Sequence, residues 1–408
     1  SDLETLRAVL PALLNREMFV PVHSLAAGLA GKLRNPASVW ALLHCSYLEL
    51  SEDERKPELL AVFLSSLQKK RATFVETALE KLSHDPEFAP DFPRIQCAVI
   101  PGPKGVARLI QSMKSDTVAS SSYEAIANVS DCLTDKEFGK LFRPLAKRPG
   151  GFDACLHLIW LRLARMKTQP SKPTTGLKTL GRDLLLQWDC SPHGSMMDYQ
   201  LAEVVEKCMP SLGSEKVAYE LCTRCSKKAH MSLFFLDQYP RLFTALMKVH
   251  PEDTLSGLLD SGSKLQRRGS ARRRNHESGS LFAALPEKAV IDWCEKGKPG
   301  RYVLMASVID AISEGDKGDT AWQPLALAIL AKARGKEKVL AAYFHQFRPM
   351  SWSGSRASIM ERRLGLFDDL LLMPKLNRYY PYIQNEKANF LIDIERDRVL
   401  DKRLHGSG

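Results

Sequence analysis

Strands are what these 408 residues have least of. Clean alternation of apolar and polar residues, the period of a half-buried strand, is almost absent. That excludes an all-β sandwich or barrel and leaves nothing from which to build a doubly wound sheet. Long apolar runs are missing too. The most apolar stretch, "FDACLHLIWLRLARM", is interrupted by Asp153, His157 and Arg162. It falls short of the roughly 20 residues that cross a bilayer, so no membrane span is predicted. Clustered cysteines are also absent. The nine present are scattered, odd in number and mostly set in apolar stretches. This predicts reduced thiols in a cytoplasmic protein and excludes a disulfide framework. No secretory leader is visible. The opening "SDLETL", without Met, reads as part of a longer protein whose catalytic portion lies elsewhere.

Catalytic fingerprints are equally scarce. "GLAGKL" at 28–33 has the Gly-Lys of a phosphate loop but lacks its four-residue spacer and its Ser or Thr. It reads as a helix with small packing residues. There is no H-E-x-x-H, no G-x-S-x-G and no dinucleotide fingerprint. The ten histidines do not cluster. His157, in an apolar stretch, and His345, in a Tyr/Phe-rich one, read as core histidines. The acid pairs Asp368/Asp369 and Asp316/Asp319 read as solvated faces or turns. Nothing sets two carboxylates across a cleft, as a glycosidase needs. Accordingly, no enzyme activity and no cofactor are expected in this chain.

What the sequence does have is helical periodicity. In "RATFVETALEKL" the residues Phe74, Val75, Ala78, Leu79 and Leu82 share one face. Leu201, Val204, Val205 and Cys208 repeat the pattern, as do Val339, Leu340, Tyr343, Phe344 and Phe347. Stop signals such as "IPGPKG", "KRPGG", "CSPHG" and "KGKPG" recur at short intervals. "SSYE" at 121–124 and "TDKE" at 134–137 fit a capping box. Short helices joined by short Pro/Gly turns predict an all-α fold, a HEAT-like α-solenoid of antiparallel helical pairs. "KTQPSKPTTG" predicts a hinge at 168–176 between a helical-repeat half at 1–167 and another at 177–408.

One candidate metal site stands out. Cys222 and Cys225 form a C-x-x-C, with Cys208 upstream and His230 downstream. The spacing matches no established zinc ribbon or finger. Two cysteines on one face of a helix is the favoured reading, so no metal is expected.

One candidate contact site is basic. "GSKLQRRGSARRRNHESGS" at 262–280 carries Lys264, Arg267, Arg268, Arg272, Arg273 and Arg274 and holds a single large apolar residue, Leu265. It predicts a disordered loop between helices ending near Asp260 and starting near Pro286. The six basic residues at 264–274 account for six of the eleven net positive charges, leaving +5 elsewhere. These side chains suit phosphate contacts without base reading, although aromatics for stacking are missing. A solvated or protein-docking loop is the favoured alternative.

From Leu285 to the end, roughly the last third, the order of motifs is distinctive. Trp293 precedes Cys294, Trp322 opens "WQPL" with Pro324, and Pro349 precedes "WSGS" with Trp352, Gly354 and Ser355. Glu361 and Arg362 follow, before a long charged terminal helix. This order resembles the C-terminal helical region of large bacterial multidomain proteins, in particular STAND-type NTPases of antiphage defence. The resemblance implies a recognition or scaffold role, with the NTPase or effector outside this chain and a phage or host protein as partner. Bottom-up, Ser355 reads as a helix cap and Trp352 as a plug for the preceding turn, both structural. The expected function is therefore non-catalytic protein recognition in the bacterial cytoplasm. A nucleic-acid-binding HEAT-like protein is the alternative, and a helical-repeat DNA-acting enzyme is a remoter one.

Overall fold

The computed structural model describes residues 2–14, 22–32, 35–166, 173–191, 195–231, 238–260, 282, 285–298, 300–315, 319–349 and 354–405. The chain divides into two compact units. One holds Ser1–Trp188 with Lys207–Met209, and the other holds Asp189–Glu206 with Pro210–Gly408.

The first unit runs through α1 (Asp2–Leu14), α2 (Val22–Lys32), α3 (Pro36–Leu48), α4 (Glu58–Leu67), α5 (Ala72–His84), α6 (Phe92–Gln96) and α7 (Pro103–Ser112). A 3-10 stretch (Ser120–Cys132) then leads to α8 (Asp135–Leu145), α9 (Gly151–Met166) and α10 (Thr175–Leu185). Helices pack against near neighbours in the chain: α1 on α3, α2 on α4, and α9 on the 3-10 stretch. The predicted face of α5 is buried through Val75, Ala78, Leu79 and Leu82, while Phe74 is half-buried. Thr134 caps α8 with Glu137 as its reciprocal partner, which makes the expected box. The second expected box is corrected. Ser121–Glu124 lies inside the 3-10 stretch, which begins after Ala119 without any side-chain cap. Residues 168–172 of the expected hinge lie outside the described residues. Thr174 caps α10 and donates to Asp135, which fixes that helix to α8 within this unit.

The second unit runs through α11 (Ser195–Cys208), whose last residues count with the first unit, then α12 (Glu215–Met231), α13 (Pro240–Val249) and α14 (Pro251–Leu255). A π turn (Ser256–Asp260) follows, then α15 (Glu287–Lys296) and α16 (Gly300–Val308). β1 (Ile312–Glu314) and β2 (Thr320–Trp322) form a small antiparallel hairpin with Ile312 opposite Trp322. Next come α17 (Pro324–Lys332), α18 (Lys336–Phe347), α19 (Arg356–Arg362), α20 (Gly365–Leu371) and a 3-10 turn (Pro374–Tyr379). The long α21 (Tyr380–His405) follows. Again the packing is between near neighbours: α12 on α14 and the π turn, α14 on α15, α16 on α18, and α19 on α21.

The same locality governs polar cross-ties. Arg55 reaches Glu87, Arg162 reaches Asp135, Arg348 reaches Asp393 and Arg363 reaches Glu314. In these ties the partners stand 27 to 49 residues apart. Each guanidinium therefore ties together two segments that lie within about 50 residues of each other in the chain. Among the described residues the fold is all-α apart from the β-hairpin, as the periodicity predicts. The two histidines expected in the core are not there. His157 is half-buried, its ring 5.7 Å from that of Trp160, and His345 is exposed.

Candidate functional site

The C-x-x-C lies on α12, and both cysteines are fully buried. The helix presses against the π turn so closely that a Cβ on Gly257 would stand 2.6 Å from Cys222 Cβ and from the Tyr219 carbonyl oxygen. Only glycine fits there. Ser226 donates to the Leu258 carbonyl at 3.0 Å, and Trp293 Nε1 donates to Ser256 Oγ at 2.8 Å, so the turn is held from both sides. Burial raises the Cys222 thiol well above its ordinary range. The two further ligands that a metal reading would draw on fall outside what the structure describes of this unit. Cys208 counts with the first unit, and the His230 side chain lies outside the described residues. Among the described residues, no group of three or more His, Cys, Asp or Glu is placed to hold a metal ion.

Sequence spacing missed the neighbour that Cys225 does have. Cys190 Sγ lies 3.0 Å from Cys225 Sγ, across 35 residues of sequence. Cys190 sits in the turn after α10 and is 1% exposed. Its φ of +56° falls in the left-handed region that non-glycine residues avoid. The turn is pinned at both flanks. Asp189 Oδ1 accepts from the Ser191 amide at 2.9 Å, and Tyr239 Oη donates to the Ser191 carbonyl at 2.7 Å. A bond from the Cys225 thiol lowers the Cys190 pKa, and nearby Arg224 and Lys228 act in the same sense. Burial raises that of Cys225. "WDCSPHG" carries no periodic signal, and the separation belongs to no motif, so nothing in the sequence announces this pair.

Two surface features complete the inventory. A groove of about 330 Å³ opens between α11 and α13, lined by Tyr199, Ala202, Glu203, Glu206, Arg241 and Thr244 among others. Its charges are mixed. The Arg241 guanidinium lies over the Tyr199 ring at 5.5 Å, and Lys248 pairs with Glu206 at 3.5 Å. Asp198 is buried beneath the groove and accepts from the Arg241 and Leu242 amides at 3.2 and 2.9 Å. Burial raises its pKa. On α21, Ile383, Phe390 and Ile394 are buried, whereas Leu391, Ile392, Val399 and Leu400 are 41–59% exposed. The exposed four lie within about 14 Å along the helix, at 1.5 Å per residue. Salt bridges at 3.7, 3.1 and 2.8 Å link Arg396 to Asp393, and Arg398 to Glu395 and Glu361.

The candidate phosphate contacts Lys264, Arg267, Arg268, Arg272, Arg273 and Arg274 all lie outside the described residues, as does Trp352. The other motif residues of the last third serve the fold. Trp322 Nε1 donates to the Leu366 carbonyl at 3.0 Å, with its ring against Tyr343 and Phe347. Gly354 has φ +79°, a conformation that favours glycine. Ser355 caps α19, accepting from the Ser358 amide and donating to Asp401. No helix among the described residues is long and apolar enough to cross a membrane. Compared with known protein families, with characterised proteins and with solved structures, the chain finds no match.

Proposed function

We propose that this chain is a non-catalytic recognition scaffold, a HEAT-like solenoid of antiparallel helical pairs, whose partner is another protein. The observation that carries the reading is the outward face of α21. Four large aliphatic side chains stand in the open beside the exposed charges Glu395 and Arg396. Exposed aliphatics interleaved with charges of both signs suit a protein surface that offers aliphatic side chains and opposite charges in turn. A polyanion would be repelled by the acids and would gain nothing from the aliphatics. The mixed lining of the α11–α13 groove supports the same partner class. Near-neighbour packing and cross-ties that span 27 to 49 residues support the solenoid. The motif order from Trp293 to Arg362 supports a place as the recognition region of a cytoplasmic bacterial antiphage NTPase, with a phage or host protein as trigger.

The test is a double variant, Leu391→Glu with Ile392→Glu. The purified chain is immobilised, a protein partner is captured, and that partner is repurified and titrated against wild type and variant. Binding at least tenfold weaker in the variant is expected, since central aliphatic anchors dominate such interfaces. Equal binding by both proteins would overturn the reading. The basic segment 262–280 motivates a second reading, phosphate contact with a nucleic acid through its five arginines and Lys264.

A further inference from the structure

Of the nine cysteines, Cys190 and Cys225 alone have their sulfurs paired at bonding approach among the contacts the structure records. The separation of 3.0 Å is about 1 Å longer than a disulfide bond, so a small rotation of either side chain closes it. The two residues come from different elements of the second unit, a pinned turn and the middle of α12. The left-handed backbone at Cys190 aims its side chain at α12 and is held there by the bonds of Asp189 and Ser191 on either side. A residue kept in a sparsely populated conformation by its surroundings points to a function for that conformation. Here the conformation delivers one thiol to another.

We propose that Cys190 and Cys225 are a covalent modification site, a dithiol that a hydroperoxide converts reversibly to a disulfide. In the first step the Cys190 thiolate attacks one peroxide oxygen. An S–O bond forms, the O–O bond breaks, and the departing hydroxide is protonated to water. In the second step the Cys225 sulfur attacks the Cys190 sulfenic sulfur. The S–S bond forms, the S–O bond breaks, and the hydroxide that leaves takes the Cys225 proton and departs as water. Two thiols lose two electrons, and one hydrogen peroxide becomes two waters. Cys190 is the attacking sulfur because Arg224 and Lys228 favour its thiolate, while Cys225 lies deeper and is suited to resolve the intermediate. Both sulfurs are buried, so oxidant reaches them when the turn opens locally. The product would tie that turn to α12 and restrict the unfolded chain between them.

The experiment uses the full chain. Reduced protein is treated with hydrogen peroxide under native conditions, unfolded, alkylated and digested for mass mapping. The expected result is a mass loss of two hydrogens, alkylation falling from nine sites to seven, a single linked peptide pair holding Cys190 and Cys225, and full reversal by a dithiol reductant. In Cys225→Ser the linkage is absent, and a sulfenic-acid trap labels Cys190 instead. Linkage between any other cysteines, oxidation straight to sulfinic acid in wild type, or nine thiols still alkylated after treatment would each overturn the proposal. The mapping is done on wild type, so it holds whether or not the variant folds.

Discussion

Arg162 interrupts the most apolar stretch of the sequence, and from the sequence alone it reads only as the charge that rules out a membrane span. In the fold it is 6% exposed. Its guanidinium donates to the Leu133 carbonyl at 3.0 Å and to Asp135 at 2.9 Å, and it lies 4.6 Å from the centre of the Phe138 ring. Burial lowers its pKa against the opposing pull of Asp135 and Asp131. Arg162→Ala would leave Asp135 and a buried carbonyl without this partner and would open a void over Phe138. We expect unfolding free energy to fall by about 3 kcal/mol, at the lower end for a broken buried pair because Asp135 is partly exposed. Urea denaturation checks it, and a loss below about 1 kcal/mol would class the contact with surface pairs. Residue-scale facts of this kind are the least legible in sequence. A helical wheel places Arg162 on the apolar face without naming the carboxylate of Asp135, 27 residues earlier, that pairs with it. The same blindness hides the meeting of Cys190 with Cys225.

Elements were more legible, and the exceptions have causes. The faces of α5, α11 and α18 follow their periodicity because each helix buries one side and leaves the other toward water. The stretch Ser120–Cys132 does not, because it winds as a 3-10 helix and its "SSYE" never meets an N-cap. The hairpin of β1 and β2 is three residues a side, too short for alternation to register. α13 shows a cap that no local pattern could reveal. It begins at Pro240 without a capping side chain of its own, and Asp198 on α11 supplies the acceptor from outside. Asp198→Ala removes both bonds and leaves two amides at a helix start unsatisfied. We expect a loss of about 1–2 kcal/mol, read by urea denaturation, with a loosened α13 start visible as faster amide exchange at Arg241 and Leu242. Unchanged exchange at those amides would show that the carboxylate does not hold the helix.

At the scale of the molecule the question is where the net charge of +11 acts. Many described arginines are engaged in structural ties. Arg55, Arg108, Arg162, Arg348, Arg356 and Arg363 each bond an acid, and Arg301 donates to Asp260 and the Trp293 carbonyl. An arginine bound this way gives up a partner to take a phosphate, so these side chains add little to a polyanion site. Six charges in 264–274 therefore decide between a protein partner and a nucleic acid. The variant to make changes Arg267, Arg268, Arg272, Arg273 and Arg274 to Ser, and the measurement is fluorescence anisotropy of duplex and single-stranded DNA and RNA across a salt series. If the five arginines gripped phosphates, the slope of log affinity against log salt would drop by roughly 4 to 5 on duplex DNA, at about 0.9 per phosphate. From the mixed-sign surfaces of α21 and of the α11–α13 groove we expect the opposite: no binding near physiological salt, and wild type indistinguishable from the variant. A steep salt dependence that the five substitutions abolish would move phosphate contact ahead of protein recognition. The exposed strip of α21 would then need a separate explanation.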